Sequence, residues 1–309
     1  MKKMNNKACA AVCALLTLTN IGCKASVEEK SGSAPAEKMI VCPVKDWDRA
    51  PVVPDYVVFA GDTIRLERAD FRERMDRELL NFTYGHVNTT LILKRAPAIF
   101  ATVEPLLKKY GVPDDLKYLM TIESNLNPSA YSVAGAAGLW QFMKGTAEEY
   151  GLEVNAFVDE RYNIEKETAA ACSYLKKAYA RYKDWLTAAA SYNAGMGAIS
   201  GKLEAQGEKS AMELWLVDET SRYMFRILAA KMLLENPAAF GYDVPADQTY
   251  PPLVVKNILT INYPVADLAA LAQSNGVSYL QLHNANPWIR GLKLPNQNHK
   301  TYRIIIPSY

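Results

Sequence analysis

The stretch GVPDDLKYLMTIESNLNPSAYSVAGAAGLWQF, Gly111–Phe142, holds a single glutamate, Glu123, and the reading of that residue decides the rest. Pro113 suits a first helical position, and Asp114 and Asp115 suit the positive end of a helix dipole. Leu116, Leu119, Met120 and Glu123 follow at helical spacing, so the acid shares the apolar stripe. Pro128 disfavours helix at Asn127, which predicts that the helix stops just after Glu123. A carboxyl placed there meets a hydrophobic face and the negative helix end. Both disfavour its charge and raise its pKa, as a general acid working near neutral pH requires. The plainer alternative is a glutamate pointing into solvent at a helix end. Downstream, Gly135-Ala136-Ala137-Gly138 lets the backbone approach closely, either to another helix or to a ligand. Leu139 to Met143 then supplies aromatic surface and one amide, with Trp140, Phe142 and Met143 suited either to packing or to stacking on a sugar.

Outward from this segment nearly everything from Leu91 to Asn236 carries helical periodicity, including ILKRAPAIFATVEPLLKKY, ETAAACSYLKKAYARY and SRYMFRILAAKMLL. Ser191-Tyr192-Asn193-Ala194-Gly195 closes one helix on a glycine, and Glu219-Thr220-Ser221-Arg222-Tyr223 opens another. RLERADFRERMDRELL, residues 65–80, reads as an amphipathic helix packed on this block. The tail differs. VVKNILTI, DLAALAQSNG, SYLQLHNAN and YRIIIP follow in the order strand, helix, helix, strand, a small α+β module set off by Pro245, Pro251 and Pro252. The fold class is mainly α, with that module at the C-terminal end.

The first residues read as an address. Lys2, Lys3 and Lys7 precede an apolar run, Ala8 to Leu18, too short for a membrane span. Ile21-Gly22-Cys23 resembles the lipobox of bacterial lipoproteins, which implies a signal peptide over 1–23 and lipid on Cys23; an ordinary secretory signal is the alternative. Residues 24–60 read as a tether, polar and rich in Pro, Gly and Ser over SVEEKSGSAPAEK. Cys42 and Cys172 then remain, the second a buried thiol in a helical run; a disulfide between them is open. Among 309 residues, 35 Lys and Arg against 33 Asp and Glu give a net charge of +2, which argues against nucleic acid as a partner. Lys176, Lys177, Arg181 and Lys183 read as a solvated helix face. His86, His283 and His299 are far apart and no HExxH or paired CxxC occurs, so no metal or other cofactor is expected. GMGAISG, residues 195–201, has one residue too many for a dinucleotide fingerprint and follows a helix.

Four motifs in order, Glu123-Ser124, GAAGLWQFM, SYNAG and the E-T-x-x-Y segment, resemble the lytic transglycosylases of the goose-type lysozyme superfamily, most of all the membrane-bound murein transglycosylases. The resemblance implies a lysozyme-like catalytic domain over 61–245, followed over 250–309 by a module similar to LysM domains. Asn262-Tyr263-Pro264 stands there in place of the usual glycine-containing turn, leaving the module either a glycan reader or a docked accessory. The implied activity is cleavage of the β-1,4 bond between N-acetylmuramic acid and N-acetylglucosamine with formation of a 1,6-anhydro end. Glu123 would be the acid and then the base, the substrate's own C6 hydroxyl being the nucleophile. By motif position Ser132 and Tyr192 would contact the acetamido group or the developing charge, Gln141 and Asn193 would bond the glycan or orient Glu123, and Tyr223 and Met143 would line the cleft. Glu219 would lie near the cleft or simply favour a helix start. The implied partners are peptidoglycan glycan strands and, through the lipid anchor, a membrane, for an outer-membrane lipoprotein facing the periplasm. A hydrolytic muramidase and a non-catalytic peptidoglycan-binding lipoprotein are the rival readings.

Overall fold

The computed structural model describes residues 51–308; the expected signal peptide, Cys23 and Cys42 lie outside them. The described chain begins inside the stretch read as a tether, which ends earlier than residue 60. Tyr56–Phe59 (β1) pairs antiparallel with Asp62–Arg65 (β2). Ala60 and Gly61 make the turn, both at positive φ, as two-residue hairpin turns matching the strand twist require. Val53, Val57, Phe59 and Leu66 bury their side chains in the main core, and the Ala60 amide donates to Asp115 at 2.7 Å. Four residues of alternation are too few to stand out beside a polar linker.

Helices α1 (Ala69–Tyr84) and α2 (His86–Tyr110) meet at Gly85, where an added Cβ would fall 2.5 Å from the Asn81 carbonyl oxygen. Pro97 and Pro105 lie within α2 on its exposed face. A 3-10 turn at Asp114–Leu116 leads into α3 (Lys117–Ser124), then come α4 (Lys144–Glu149), α5 (Ile164–Tyr182), α6 (Trp185–Ala194), α7 (Met196–Gln206) and α8 (Asp218–Glu235). The periodic segments thus form helices as the sequence predicts. Helix α8 is buried nearly all round and packs against α1, α3 and α6. Its join to α1 includes an ionic contact: Glu78, on the stripe of Phe71, Met75 and Leu79, is buried and accepts from Arg222 at 2.6 Å and Arg226 at 3.3 Å. Cys172 is buried in the core and bonded to no cysteine among the described residues, and Lys176, Lys177, Arg181 and Lys183 are exposed as expected. No helix among the described residues is long and apolar enough to cross a membrane.

The tail has the expected order: β3 (Val255–Ile261), α9 (Leu268–Ser274), α10 (Tyr279–Ala285) and β4 (Tyr302–Pro307), with β3 and β4 antiparallel. Asp267 caps α9, and Ser278 with Gln281 forms a capping box on α10. Buried Asn286 donates to the Leu282 and Ile305 carbonyls and accepts from the Ile305 amide. The module is docked on the helical domain. The Asp159 amide donates to the Trp288 carbonyl at 2.8 Å and the Arg290 amide to Phe157 at 2.9 Å. Ala137, Val158 and Tyr162 of the helical domain share the module's core with Leu268, Trp288 and Ile304.

This shared core predicts coupled stability. Trp288 is buried and stacks on Tyr302 with ring centroids 5.5 Å apart, so Trp288→Ala should cost about 3–5 kcal/mol. The melting midpoint should fall, and hydrogen exchange should quicken across residues 153–162 as well as within the module. Exchange unchanged in 153–162 would show that the two parts fold independently.

Candidate active site

Helix α3 is short and almost wholly buried: Tyr118, Leu119, Met120, Thr121 and Ser124 are all inside. Its start is held by Asp115, which accepts from Ala60 and from Lys231 at 2.8 Å. Its end is held by Arg95, which donates to the Asn125 carbonyl at 2.9 Å. The helix ends where expected. Asn125 (φ 50°) and Leu126 (φ 54°) are both left-handed, a conformation that costs a branched apolar residue about 1–2 kcal/mol. Complete burial of the Leu126 side chain offsets that strain. Ser124 is not the cap; its hydroxyl donates back to the Met120 carbonyl at 3.2 Å.

Glu123, in the last turn, points to α8. The Tyr223 hydroxyl donates to its Oε1 at 2.5 Å, across 100 residues of sequence. The residue keeps a partial opening to solvent while protein surrounds the carboxyl on most sides. Burial therefore dominates and pushes its pKa to about 7, against the Tyr223 bond, which lowers it. Nearby Glu219 adds a smaller upward push and Arg226 a downward one. Exposed Glu219 occupies the first turn of α8, one turn before Tyr223, so it is both at a helix start and near the acid.

The loop after α3 is organised around Trp140, which is fully buried and tied at all its polar groups. Its amide donates to Glu167 at 3.1 Å, its indole N–H to the Thr168 hydroxyl at 3.0 Å, and its carbonyl accepts from the Tyr192 hydroxyl at 2.8 Å. Trp140 and Phe142 are thus packing residues; Met143, with 47% of its surface exposed, is available to a ligand. Of the two uses open to Gly138, close packing on the chain is the one realised. A Cβ there would lie 1.7 Å from the Arg161 carbonyl oxygen. Arg161, paired with Asp159 at 2.7 Å, donates to the Gly135 and Phe142 carbonyls and braces the loop from the other side.

Tyr192 stands on α6 with its ring edge-on to Tyr174 and Phe142. Burial drives its phenol well above the usual range, and the charges of Glu123 and Glu167 push it further in the same direction. The structure brings together Glu123, Tyr223 and Tyr192. Met143 apart, it ties the other expected residues by hydrogen bonds within the protein. The Gln141 amide nitrogen donates to Gly138 at 2.7 Å and Ala130 at 3.3 Å, closing the loop. Asn193 accepts from Thr220 at 2.8 Å, tying α6 to α8. The Ser132 hydroxyl accepts the Ala136 amide at 2.9 Å in the loop's outer turn. Glu167 escaped the sequence reading. Its spacing to Ala170, Ala171, Tyr174 and Ala178 puts it on the buried face of α5, a signal available in ETAAACSYL.

A cavity of about 460 Å³ lies apart from Glu123, at the seam of the module and α2, with Ile99, Asn163, Trp288 and Arg303 in its wall.

Residues 103–214 match the family model described as Transglycosylase SLT domain, and residues 257–309 that of the Soluble lytic transglycosylase C-terminal LysM-like domain. The chain is 28% identical over 257 residues to membrane-bound lytic murein transglycosylase D of Escherichia coli (strain K12), covering 80% of this chain and 55% of that one. It is 29% identical over 123 residues to membrane-bound lytic murein transglycosylase F of Salmonella typhi, covering 36% and 24%. The chain thus spans about half, or less, of the length of these relatives. An X-ray structure of an inactive mutant of lytic transglycosylase Slt from Pseudomonas aeruginosa aligns with TM-score 0.38 and 22% identity over 49% of this chain and 26% of that one.

The buried acid should lower stability at neutral pH. Its folded pKa of about 7 exceeds the ordinary value of 4.5. The folded state is therefore unpenalised below pH 4.5 and loses stability as pH rises through about 7, by about 1–3 kcal/mol. Glu123→Gln should raise the melting temperature more at pH 8 than at pH 4. An equal gain at both would mean that the carboxyl is not held out of water.

Proposed function

We propose that this chain, which carries a transglycosylase SLT domain and a LysM-like C-terminal domain, is a peptidoglycan lytic transglycosylase. It cleaves the β-1,4 bond between N-acetylmuramic acid and N-acetylglucosamine and leaves a 1,6-anhydromuramic acid end. The observation that carries the reading is the half-buried Glu123, held by Tyr223 and set to about pKa 7. Such a carboxyl holds a proton close to neutral pH and gives it up to a group that needs it.

In the first step Glu123 protonates the oxygen that leaves with N-acetylglucosamine as its bond to the muramic acid C1 breaks. In the second the carboxylate takes the proton of the C6 hydroxyl as that oxygen closes on C1, and no water is consumed. An internal nucleophile reaches effective molarities of about 10⁵ M or more, so a second carboxylate to activate water is unnecessary. Tyr223 holds the acid in place and steadies the carboxylate formed between the steps. Tyr192, held by the Trp140 carbonyl and packed on Phe142 and Tyr174, forms the wall facing the sugar's acetamido group. Exposed Met143 and the outer turn with Ser132 line the glycan's path, and Gln141 and Asn193 act by fixing the loop and the α6–α8 join.

The helical domain, expected over 61–245, takes Val53, Val57 and Phe59 into its core as well; the module spans 250–309, with a signal peptide over 1–23 and lipid on Cys23. The basic start, apolar run and Ile21-Gly22-Cys23 support the lipid anchor, and an outer-membrane lipoprotein facing the periplasm is the location that suits a peptidoglycan substrate.

A second reading rests on Glu219, whose charge is felt at Glu123. As a base activating water it would make the protein a hydrolytic muramidase. Mass spectrometry of digested glycan separates the readings, because the anhydro product is lighter than the hydrolytic one by a water. Anhydro ends are expected, and a reducing product would favour Glu219. Glu123→Gln should lower cleavage by about 10²–10⁴-fold with glycan binding retained.

The acid must start protonated, so turnover should fall as pH rises through about 7. The Tyr223 bond favours the charged form, so Tyr223→Phe should raise the pKa of Glu123 and move that limb to higher pH. A limb that stays put or moves down would show that another group sets it.

A further inference from the structure

Glu167 is completely buried on the first turns of α5, among small and aromatic side chains. Its Oε2 accepts the backbone amide of Trp140 at 3.1 Å. Its other oxygen, Oε1, is buried with no hydrogen-bond partner among the described residues. The groups facing it are the amides and Gly138 of the loop, Asp159 and the Arg161 carbonyl beneath, and Tyr192 from α6. No cation among them offsets a negative charge, and burial drives the acid well above the ordinary range. A buried acid with one oxygen unpartnered destabilises a core relative to an apolar side chain of equal size. Packing is therefore not what Glu167 supplies.

What it supplies is a fixed point. The Trp140 amide ends on Glu167 and the Trp140 carbonyl on the Tyr192 hydroxyl, so the residue is pinned on both sides of one backbone unit. Thr168, the next residue of α5, holds the indole. The adjoining Gly138 is the only residue type the spot admits, since a Cβ would also fall 2.5 Å from Glu167 Oε2. The phenol of Tyr192 stands where Trp140 places it, and Trp140 stands where Glu167 places it.

We propose that Glu167 is a positioning residue for the reaction, setting Tyr192 against Glu123 through the backbone of Trp140, and that it does so by the reach of its acceptor oxygen. The inference rests on the transglycosylase reading of the site. It is independent of the charge of Glu167.

Two conservative variants separate reach from charge in the full-length protein. Glu167→Gln keeps an acceptor oxygen at the same distance and loses the carboxyl; Glu167→Asp keeps the carboxyl and withdraws it by one methylene. Glu167→Gln should keep kcat within about twofold, while Glu167→Asp should lose about 10-fold or more in kcat with KM little changed, since misplacement of about 1 Å costs up to about 10²-fold. In a Tyr192→Phe background, Glu167→Asp should lower kcat by less than about twofold further, because both changes break one chain of contacts. Equal behaviour of the Asp and Gln variants, a loss expressed in KM alone, or multiplicative effects with Tyr192→Phe would overturn the inference. Glu123→Gln, assayed alongside, separates the two levels. If it cleaves like the parent, the reading of the site fails; if it is inactive while those outcomes occur, only the role of Glu167 fails.

Discussion

A carboxyl group kept largely out of water at the end of a buried helix needs every neighbour to hold still, and most of this fold is arranged around that constraint. Helix α3 is only eight residues long, too short to be stable by its own hydrogen bonds. It exists because its sides are packed and its ends are tied: Asp115 to the hairpin amide and to Lys231 of α8, Asn125 to Arg95 of α2. The left-handed pair after Ser124 turns the chain away within two residues, leaving the last helical turn open to α8. The Tyr223 hydroxyl fills that opening.

The same economy governs the loop that follows. Trp140 has three polar groups, all buried, and each finds a partner on α5 or α6. Unpaired, each would cost about 1–3 kcal/mol, so the loop has one well-defined way to fold down. Arg161 fixes the loop's outer carbonyls while its neighbours Val158 and Tyr162 enter the core of the C-terminal module. The segment 153–162 thus serves two masters, bracing the loop and seating the module. The module is a wall of the helical domain as well as any glycan-contacting surface it offers.

Much of this was legible in the chain. Helical spacing placed Glu123 on an apolar stripe, Pro128 set where that helix stops, Gly195 closed α6, and the strand–helix–helix–strand order of the tail was read in full. These features are local: a period, a cap or a breaker acts over a few residues. The hairpin at residues 56–65 was missed because its alternation is brief and its burial depends on the helices it covers. Glu167 was missed because a charged residue in a helix reads as solvent-facing until its stripe is compared with its neighbours'. The open choice at Gly138, helix or ligand, was settled by the Arg161 carbonyl, a group in no recognisable sequence relation to it.

The sequence alone therefore determined which segments are helical, which faces are apolar, and that one acid stands at a helix end; whether that acid meets solvent or the core was left to the packing. Tertiary structure alone decided which partner each polar group takes. Tyr223 reaches Glu123, Tyr192 turns to the Trp140 carbonyl, Gln141 folds back on its own loop, and Asn193 binds Thr220. The physical reason is range. Periodicity encodes the direction in which a side chain leaves its helix, whereas a hydrogen bond requires two atoms within about 3 Å, a distance fixed only when helices far apart in the chain have packed.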